Sequence, residues 1–193
     1  MHNYIMTVQS CVLLYITAAL YYDISSSYNL PLYDFISISN IASTLHIADN
    51  NVYILNIFLF SKVYEWIDTV ILIINKKPVI TLHWWHHSTI TVAFYTGFYS
   101  SSVLWIGLLN SFIHVIMYLY YADTSFIKPF AKYLTMLQII QLAGGVYMNY
   151  ISYFYNTAYK IQLFAIINGF ICGSYFLLFL KFYSKKYKTK RTE

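Results

Sequence analysis

Six stretches of the sequence are each long and apolar enough to cross a lipid bilayer as a helix, which takes roughly 20 mostly apolar residues. They cover about residues 5–22, 52–74, 79–98, 103–121, 130–154 and 161–183. Hydrophobic residues make up 59% of the chain and charged residues only 10%, whereas a soluble domain usually carries about 25% charge. The stretches are continuously apolar rather than alternating, which favours helices over strands. The sequence therefore predicts an all-α membrane protein with about six transmembrane helices in one bundle or helical barrel.

Composition argues against several other classes of protein. The chain has too little polarity to stay solvated as a disordered segment. Its two cysteines, Cys11 and Cys172, both lie in apolar stretches, which argues against a disulfide-built fold. The net charge is +5, but the basic residues form no stripe among stacking aromatics, so no nucleic-acid partner is expected. The first stretch lacks the basic start and clear cleavage site of a signal peptide, so we interpret it as a retained anchor.

Basic residues are concentrated on alternate connections between the predicted helices. Ten of the twelve lysines and arginines lie in three places, namely at residues 76–77, at residues 128–132 and from Lys181 onwards. The two exceptions are Lys62 and Lys160. The positive-inside rule places those connections and both termini in the cytoplasm. The loop over residues 23–51 has no basic residue, and we interpret it as an irregular luminal segment that can contain a short amphipathic turn. Residues 1–193 are expected to form one domain with a mobile, basic cytoplasmic tail at 184–193.

Polar residues inside the predicted helices form four stripes. An ionisable residue in hydrocarbon costs about 2.5 kcal/mol or more by insertion scales, so each needs a reason. The stripes are Lys62, Glu65, Asp68 and Thr69; His83, His86 and His87; Asn110, His114, Met117, Tyr118 and Tyr121; and Thr135, Gln138 and Gln141. Their helical spacing lets all four face one shared cavity that excludes water. The structural alternatives are a Lys62–Glu65 ion pair that closes the bundle and glutamines that only join helices.

The histidine cluster in the third stretch is compatible with two kinds of chemistry. With His114 it offers four imidazoles, enough for a zinc ion, and membrane di-iron desaturases and hydroxylases contain a similar HxxHH element. Two irons need more ligands than these, and His2 and His46 lie outside the predicted spans, so no metal site is expected.

Nucleophilic or acid–base catalysis by imidazole is the alternative that we favour. Burial disfavours the charged imidazolium, so neutral imidazoles are expected, and these can accept an acyl group or hydrogen-bond an enolate. Lys62, Asn110, Gln138 and Gln141 could supply donors to an oxyanion. The basic cytoplasmic loops would attract a polyanionic substrate such as a nucleotide-bearing thioester.

Four motifs in order resemble those of a known family. Residues 62–69 read KVYEWIDT and fit KxxExxDT, and residues 83–87 read HWWHH and fit HxxHH. Residues 110–121 read NSFIHVIMYLYY and fit NxxxHxxMYxYY, and residues 135–141 read TMLQIIQ and fit TxxQxxQ. This set resembles the fatty acid elongases, the ELO family of very-long-chain 3-oxoacyl-CoA synthases. The similarity extends loosely from about residue 20 to the basic tail.

The resemblance implies a reaction and a set of partners. Such enzymes condense a long-chain acyl-CoA with malonyl-CoA in the endoplasmic reticulum membrane, releasing carbon dioxide and CoA and giving a 3-oxoacyl-CoA extended by two carbons. Neither a cofactor nor a metal is expected beside these two substrates. The expected partners are the bilayer, a second copy in a homodimer, and the other enzymes of the elongation cycle.

The resemblance also assigns roles by position. His86 is expected to act as the nucleophile, with His83 and His87 orienting it and His114 assisting near the thioester carbonyl or enolate. The expected substrate-binding residues are Lys62, Glu65, Asp68, Asn110, Tyr118, Tyr121, Gln138 and Gln141.

The chain departs from the family pattern in two respects. Family members usually have seven spans and a luminal N-terminus, whereas the KxxExxDT element here begins at Lys62 and leaves room for one preceding span, so the first family helix is expected to be missing. The final residues read KRTE rather than a dilysine retrieval signal. The alternatives are a catalytically degenerate elongase homologue that acts as a lipid-binding membrane protein, and a transporter, which would more often show broken helices and repeated halves.

Overall fold

The computed structural model describes residues 1–49, 53–100, 102–122 and 127–188, and these ranges contain helices and no β-strand. The helices are α1 (His2–Ser27), α2 (Phe35–Asp49), α3 (Tyr53–Tyr64), α4 (Trp66–Ile74), α5 (Thr81–Tyr99), α6 (Val103–Tyr121), α7 (Ala131–Tyr155) and α8 (Tyr159–Tyr183). A 3₁₀ turn, Lys128–Phe130, precedes α7, and a π-helical turn, Ser184–Lys188, follows α8. The all-helical prediction is confirmed.

Two helical segments in the described ranges are long and apolar enough to cross a membrane. They are α1, His2–Ser27, and the segment Tyr159–Tyr187, which consists of α8 and most of the π-helical turn that follows it. Large apolar side chains also cover the outside of the molecule: Phe170 is 72% exposed and Leu177 is 66% exposed. Exposed apolar surface of this kind marks contact with something other than water. The remaining predicted spans include the polar stripes, which lower their mean hydropathy, and the number six stays a prediction.

The predicted second span is interrupted at Glu65. Residues 52–74 were expected to form one helix, but α3 and α4 meet at Glu65, and Val52 lies outside the described residues. The amide of Asp68 donates to the Glu65 carbonyl at 3.1 Å, three residues back, which is tighter than an α-helical turn. The prediction of a continuous helix was therefore wrong at this point. Hydropathy does not detect such a break because both sides of it are helical and apolar.

The loop expected to be irregular is largely helical. Helix α1 continues to Ser27, and α2 occupies Phe35–Asp49. Asp34 explains where α2 begins, since its Oδ1 accepts a hydrogen bond from the Ser37 amide at 3.1 Å, as a helix N-cap does. Asn29 has φ of 51° just beyond α1, a left-handed position that asparagine tolerates at helix ends. The sequence thus carried both signals, and the prediction of an irregular loop was wrong.

Helices α5, α6, α7 and α8 surround the centre of the molecule. Helix α7 packs along α8 and α6, and α8 packs along α5. Helix α1 packs along α6, and α3 packs on α5. The tail that was expected to be mobile after Tyr183 begins as the π-helical turn, and residues 189–193 lie outside the described residues. The central four helices therefore enclose the space in which the polar stripes meet.

Candidate active site

A buried ammonium group joins the α3–α4 junction to α6. Lys62 is 1% exposed, and its Nζ donates to Glu65 Oε1 at 2.6 Å and to Asn110 Oδ1 at 2.7 Å. The same Nζ lies 4.7 Å from the centre of the Phe94 ring. A buried charge is tolerated when it is paired and hydrogen-bonded, and Lys62 meets both conditions. Two of the four polar stripes therefore touch each other here.

His114 lies beside this ion pair with one ring nitrogen unsatisfied. His114 Nδ1 approaches Glu65 Oε1 at 3.4 Å, but the direction falls outside hydrogen-bond geometry. No other group in the described ranges hydrogen-bonds to this buried nitrogen. Buried polar atoms in proteins are nearly always paired. His114 Nδ1 therefore lies against the Glu65 carboxylate without a hydrogen bond in the part of the chain that the structure describes.

Asp68 connects α4 to both α6 and α1. Its Oδ2 accepts a hydrogen bond from the Tyr118 hydroxyl at 2.7 Å, and its Oδ1 lies 2.6 Å from His2 Nε2. Next to this contact, the side-chain amide of Asn3 donates to the backbone carbonyl of Tyr121 at 2.7 Å. His2 lies outside the predicted first span, and sequence reasoning gave it no role. A contact between residues 66 positions apart leaves no local pattern by which it could have been found.

The three histidines of α5 face the same side of that helix. His83 Nε2 lies 3.0 Å from Thr69 Oγ1, which ties α5 to α4. The rings of His83 and His87 stack with centroids 4.1 Å apart, and those of His86 and His87 are 5.3 Å apart. On the other side, the His86 ring lies 5.1 Å from that of Tyr175 on α8. The histidine cluster thus bridges α4 and α8.

Two cavities adjoin this cluster. The larger, which we call the polar chamber, has a volume of about 440 Å³ and is lined by Glu65, Asp68, the three histidines of α5, Tyr118 and Thr135, among others. The smaller, which we call the apolar slot, has a volume of about 60 Å³ and is lined mainly by apolar side chains such as Ile90, Phe94, Ile106, Leu142 and Cys172. His86, His114, Gln138 and Phe179 line both cavities. The His86 and His114 imidazoles therefore lie where a polar cavity meets an apolar one.

Every site residue predicted from the sequence lines one of these cavities, except Lys62, which lies behind the wall and holds Glu65 and Asn110. Tyr121 belongs to the chamber, and Gln141 belongs to the slot. No group of three or more His, Cys, Asp or Glu side chains is placed to hold a metal ion in the part of the chain that the structure describes.

Several lining residues were not identified from the sequence. Tyr175 and Phe179 come from α8, which carries no polar stripe, and Lys77 and Lys186 line the chamber from turns that follow α4 and α8. Tyr175 could not be singled out from the sequence because the chain contains 22 tyrosines. The lysines were recognised only as part of the overall basic face.

A buried polar cluster lies at the α5–α6 turn, near the slot residues Gly145 and Cys172. Asn168 donates to Ser102 Oγ at 3.0 Å, and Asn149 Oδ1 accepts a hydrogen bond from Ser100 Oγ at 3.1 Å. The Cys172 thiol lies 3.5 Å from Asn168 Oδ1. These bonds tie the turn to α7 and α8. Because serine and asparagine are common in loops, the sequence did not indicate that they are buried here.

Comparison with known families decides the relationship that the motifs suggested. A family profile described as "ELO: GNS1/SUR4 family" matches residues 1–193. The chain belongs to the ELO family. The resemblance found in the four motifs is thereby confirmed, and all four motifs of this ELO-family chain contribute walls or supports to the two cavities.

Curated relatives agree with the family match. The chain is 36% identical over 148 residues to "Very long chain fatty acid elongase 4" of Trypanosoma cruzi, covering 70% of this chain and 52% of that protein. It is 39% identical over 143 residues to "Fatty acid elongase sre1" of Dictyostelium discoideum, covering 69% and 53%. It is 34% identical over 148 residues to "Long chain fatty acid elongase 2" of Caenorhabditis elegans, covering 70% and 54%. The chain thus spans about half the length of the curated relatives it matches. No solved structure matches it.

Proposed function

We propose that this ELO-family chain condenses a long-chain acyl-CoA with malonyl-CoA, releasing carbon dioxide and CoA and giving a 3-oxoacyl-CoA two carbons longer. The observation that carries the proposal is the position of His86 and His114, which line both the polar chamber and the apolar slot. An acyl-CoA has a charged nucleotide at one end and an apolar chain at the other. Its thioester carbonyl would sit where the two cavities meet. The relatives named as fatty acid elongases support the same reaction.

His86 acts as the nucleophile in this proposal. Its imidazole attacks the thioester carbonyl, the carbon–sulfur bond breaks, and the imidazole proton leaves with CoA as the thiol. Malonyl-CoA then loses carbon dioxide, and the resulting carbanion attacks the acyl carbon and releases the imidazole, which regains a proton from solvent. Decarboxylation generates the carbon nucleophile, so no strong base is needed. No cofactor or metal takes part in the proposed reaction.

The surrounding groups orient and stabilise these steps. His114, which lines both cavities, hydrogen-bonds the carbonyl or the enolate at their junction. His83 and His87 orient His86 through their ring contacts. Gln138 Nε2 lies 3.8 Å from the sulfur of Met117, a weak acceptor that the amide can exchange for a substrate oxygen.

We further propose a membrane arrangement in which the polar chamber opens towards the cytoplasm. Two basic residues, Lys77 and Lys186, line the chamber. His2 lines it as well, so the first and last parts of the described chain lie at the same end of the bundle. The positive-inside rule then makes both termini cytoplasmic. The proposal includes six spans in a single domain at 1–193, a basic tail at 184–193, and residence in the endoplasmic reticulum membrane. It also includes a homodimer and contact with the other enzymes of the elongation cycle.

The experiment uses purified protein with an acyl-CoA and malonyl-CoA labelled in its methylene carbon. We expect a labelled 3-oxoacyl-CoA together with an equal amount of carbon dioxide. His86→Ala should abolish extension, while Ser88→Ala, an exposed position on the same helix, should not. Binding of acyl-CoA without malonyl-dependent release of carbon dioxide would instead support the alternative of a degenerate, lipid-binding homologue. A fully active His86→Ala enzyme would rule out the nucleophile assignment.

A further inference from the structure

The N-terminal end of α1 forms part of the wall of the polar chamber. His2 and Asn3 both line it, although α1 packs mainly along α6 and carries none of the four motifs. His2 reaches Asp68 across 2.6 Å, with the two side chains 22% and 18% exposed. A short hydrogen bond to a carboxylate, largely shielded from solvent, is among the stronger polar contacts in proteins. The contact is therefore strong enough to orient Asp68.

Asp68 also contacts a residue that lies beside one of the histidines. While Oδ1 meets His2, Oδ2 accepts the hydroxyl proton of Tyr118, which is 1% exposed. The Tyr118 ring in turn lies against that of His114, with centroids 5.7 Å apart. A continuous set of contacts therefore runs from α1 to one of the two imidazoles at the junction of the cavities.

We propose that His2 is a positioning residue of the condensation site. Its Nε2–H donates to Oδ1 and fixes the rotation of the Asp68 carboxylate, so that Oδ2 holds the Tyr118 hydroxyl and keeps the ring against His114. His2 acts through Asp68 and does not touch the reacting atoms. The inference rests on the proposed function, because a positioning role requires a reaction that the positioned groups support.

A purely structural role is the competing explanation, and it predicts a different pattern. If His2 only tethered α1 to the rest of the molecule through Asp68, its loss would lower the melting temperature, and the loss of activity would follow that decrease. If His2 acts through Asp68, its loss has no further effect once the carboxylate has been altered. A double-mutant cycle tests whether His2 acts through Asp68, and melting temperatures separate positioning from tethering.

The experiment measures kcat, KM for acyl-CoA and melting temperature for the wild type, His2→Ala, His2→Gln, Asp68→Asn and the double variant His2→Ala/Asp68→Asn. Val8→Ala, at an exposed position of α1, is the matched control. We expect His2→Ala to lower kcat about tenfold, the size usual for a hydrogen bond to a charged group, with KM changed less than about twofold. His2→Gln, which keeps a donor, should recover part of kcat. The double variant should be no slower than Asp68→Asn. The proposal would be overturned if the effects of His2→Ala and Asp68→Asn on kcat multiplied in the double variant. It would also be overturned if the loss of activity in each variant simply paralleled the decrease in its melting temperature.

A second measurement keeps the inference separate from the proposed function. If the wild type does not extend acyl-CoA, the proposed function fails, and the contact is then read from the ring ¹⁵N signals of labelled histidines. The His2 signals, assigned by their loss in His2→Gln, should shift in Asp68→Asn and stay in place in Val8→Ala. Unshifted His2 signals would show that the two side chains do not interact, and the positioning role would then be wrong as well.

Discussion

Lys62 donates to the Glu65 carboxylate at 2.6 Å, and both side chains are almost completely buried, at 1% and 3% exposure. The two residues lie three positions apart at the junction of α3 and α4. Transfer of each ion out of water costs several kcal/mol, which the mutual attraction and the bond to Asn110 offset. Such a pair holds the junction in one arrangement, so we expect the loss of one partner to be worse than the loss of both.

The first prediction concerns this pair. Lys62→Met should lower the free energy of unfolding by about 3–5 kcal/mol, because Glu65 is left as an uncompensated buried charge. The double variant Lys62→Met/Glu65→Leu should recover much of that loss. Unfolding in detergent micelles measures both, and Lys160→Met, at an exposed lysine, is the control. Equal destabilisation by the single and double variants would contradict the prediction.

The second prediction concerns the lysines at the polar chamber. Lys77 lines the chamber, whereas its neighbour Lys76 does not. If the chamber holds the phosphates of CoA, Lys77→Gln should raise KM for acyl-CoA up to about fivefold, the upper range for an exposed ion pair, and leave kcat unchanged. Salt screens exposed charges, so the difference from wild type should shrink as ionic strength rises. Steady-state kinetics at two salt concentrations test this. An equal change in Lys76→Gln would point to overall charge rather than to a contact in the chamber.

The polar stripes were the part of the site that the sequence could predict. Residues such as His86 and Gln138 recur at helical spacing within apolar segments, and their exposure to lipid would be costly. That cost fixes which face of each helix points inward, so the stripes converge without any knowledge of which helices are neighbours.

Contacts between distant segments could not be predicted in this way. The partners His2 and Asp68 belong to α1 and α4, and no periodicity links them. The break at Glu65 depends on one tight turn within an apolar run. Asp34 could have been recognised as an N-cap, but the serine-rich stretches and Pro31 around it favoured a loop. The features that could not be predicted were therefore the pairing of distant segments and one tight local turn, neither of which changes the hydropathy pattern.

The third prediction concerns the apolar slot. A Cβ on Gly145 would lie 3.6 Å from Cys172 Sγ, an ordinary contact, so Gly145→Ala should be tolerated. Gly145→Leu should fill much of a slot of about 60 Å³ and shorten the longest acyl-CoA that is extended. Mass spectrometry of products across a series of chain lengths measures this, with Ala143→Leu, at an exposed position of α7, as the control. Equal losses at all chain lengths would indicate a folding defect, and an unchanged limit would show that the chain lies elsewhere.

The fourth prediction uses two glycines with different surroundings. A Cβ on Gly97 would lie 2.6 Å from Asn168 Nδ2. The Asn168 side chain is completely buried and donates to Ser102 Oγ, so a shift away from the new Cβ would break that hydrogen bond. Gly97→Ala should therefore destabilise the protein by about 1–3 kcal/mol. Gly173 has nothing within 4 Å of its Cβ position, so Gly173→Ala should be neutral or stabilise α8 by up to about 1 kcal/mol. Melting temperatures in detergent compare the two. Equal shifts would mean that Asn168 yields easily and that the buried polar cluster is not rigid.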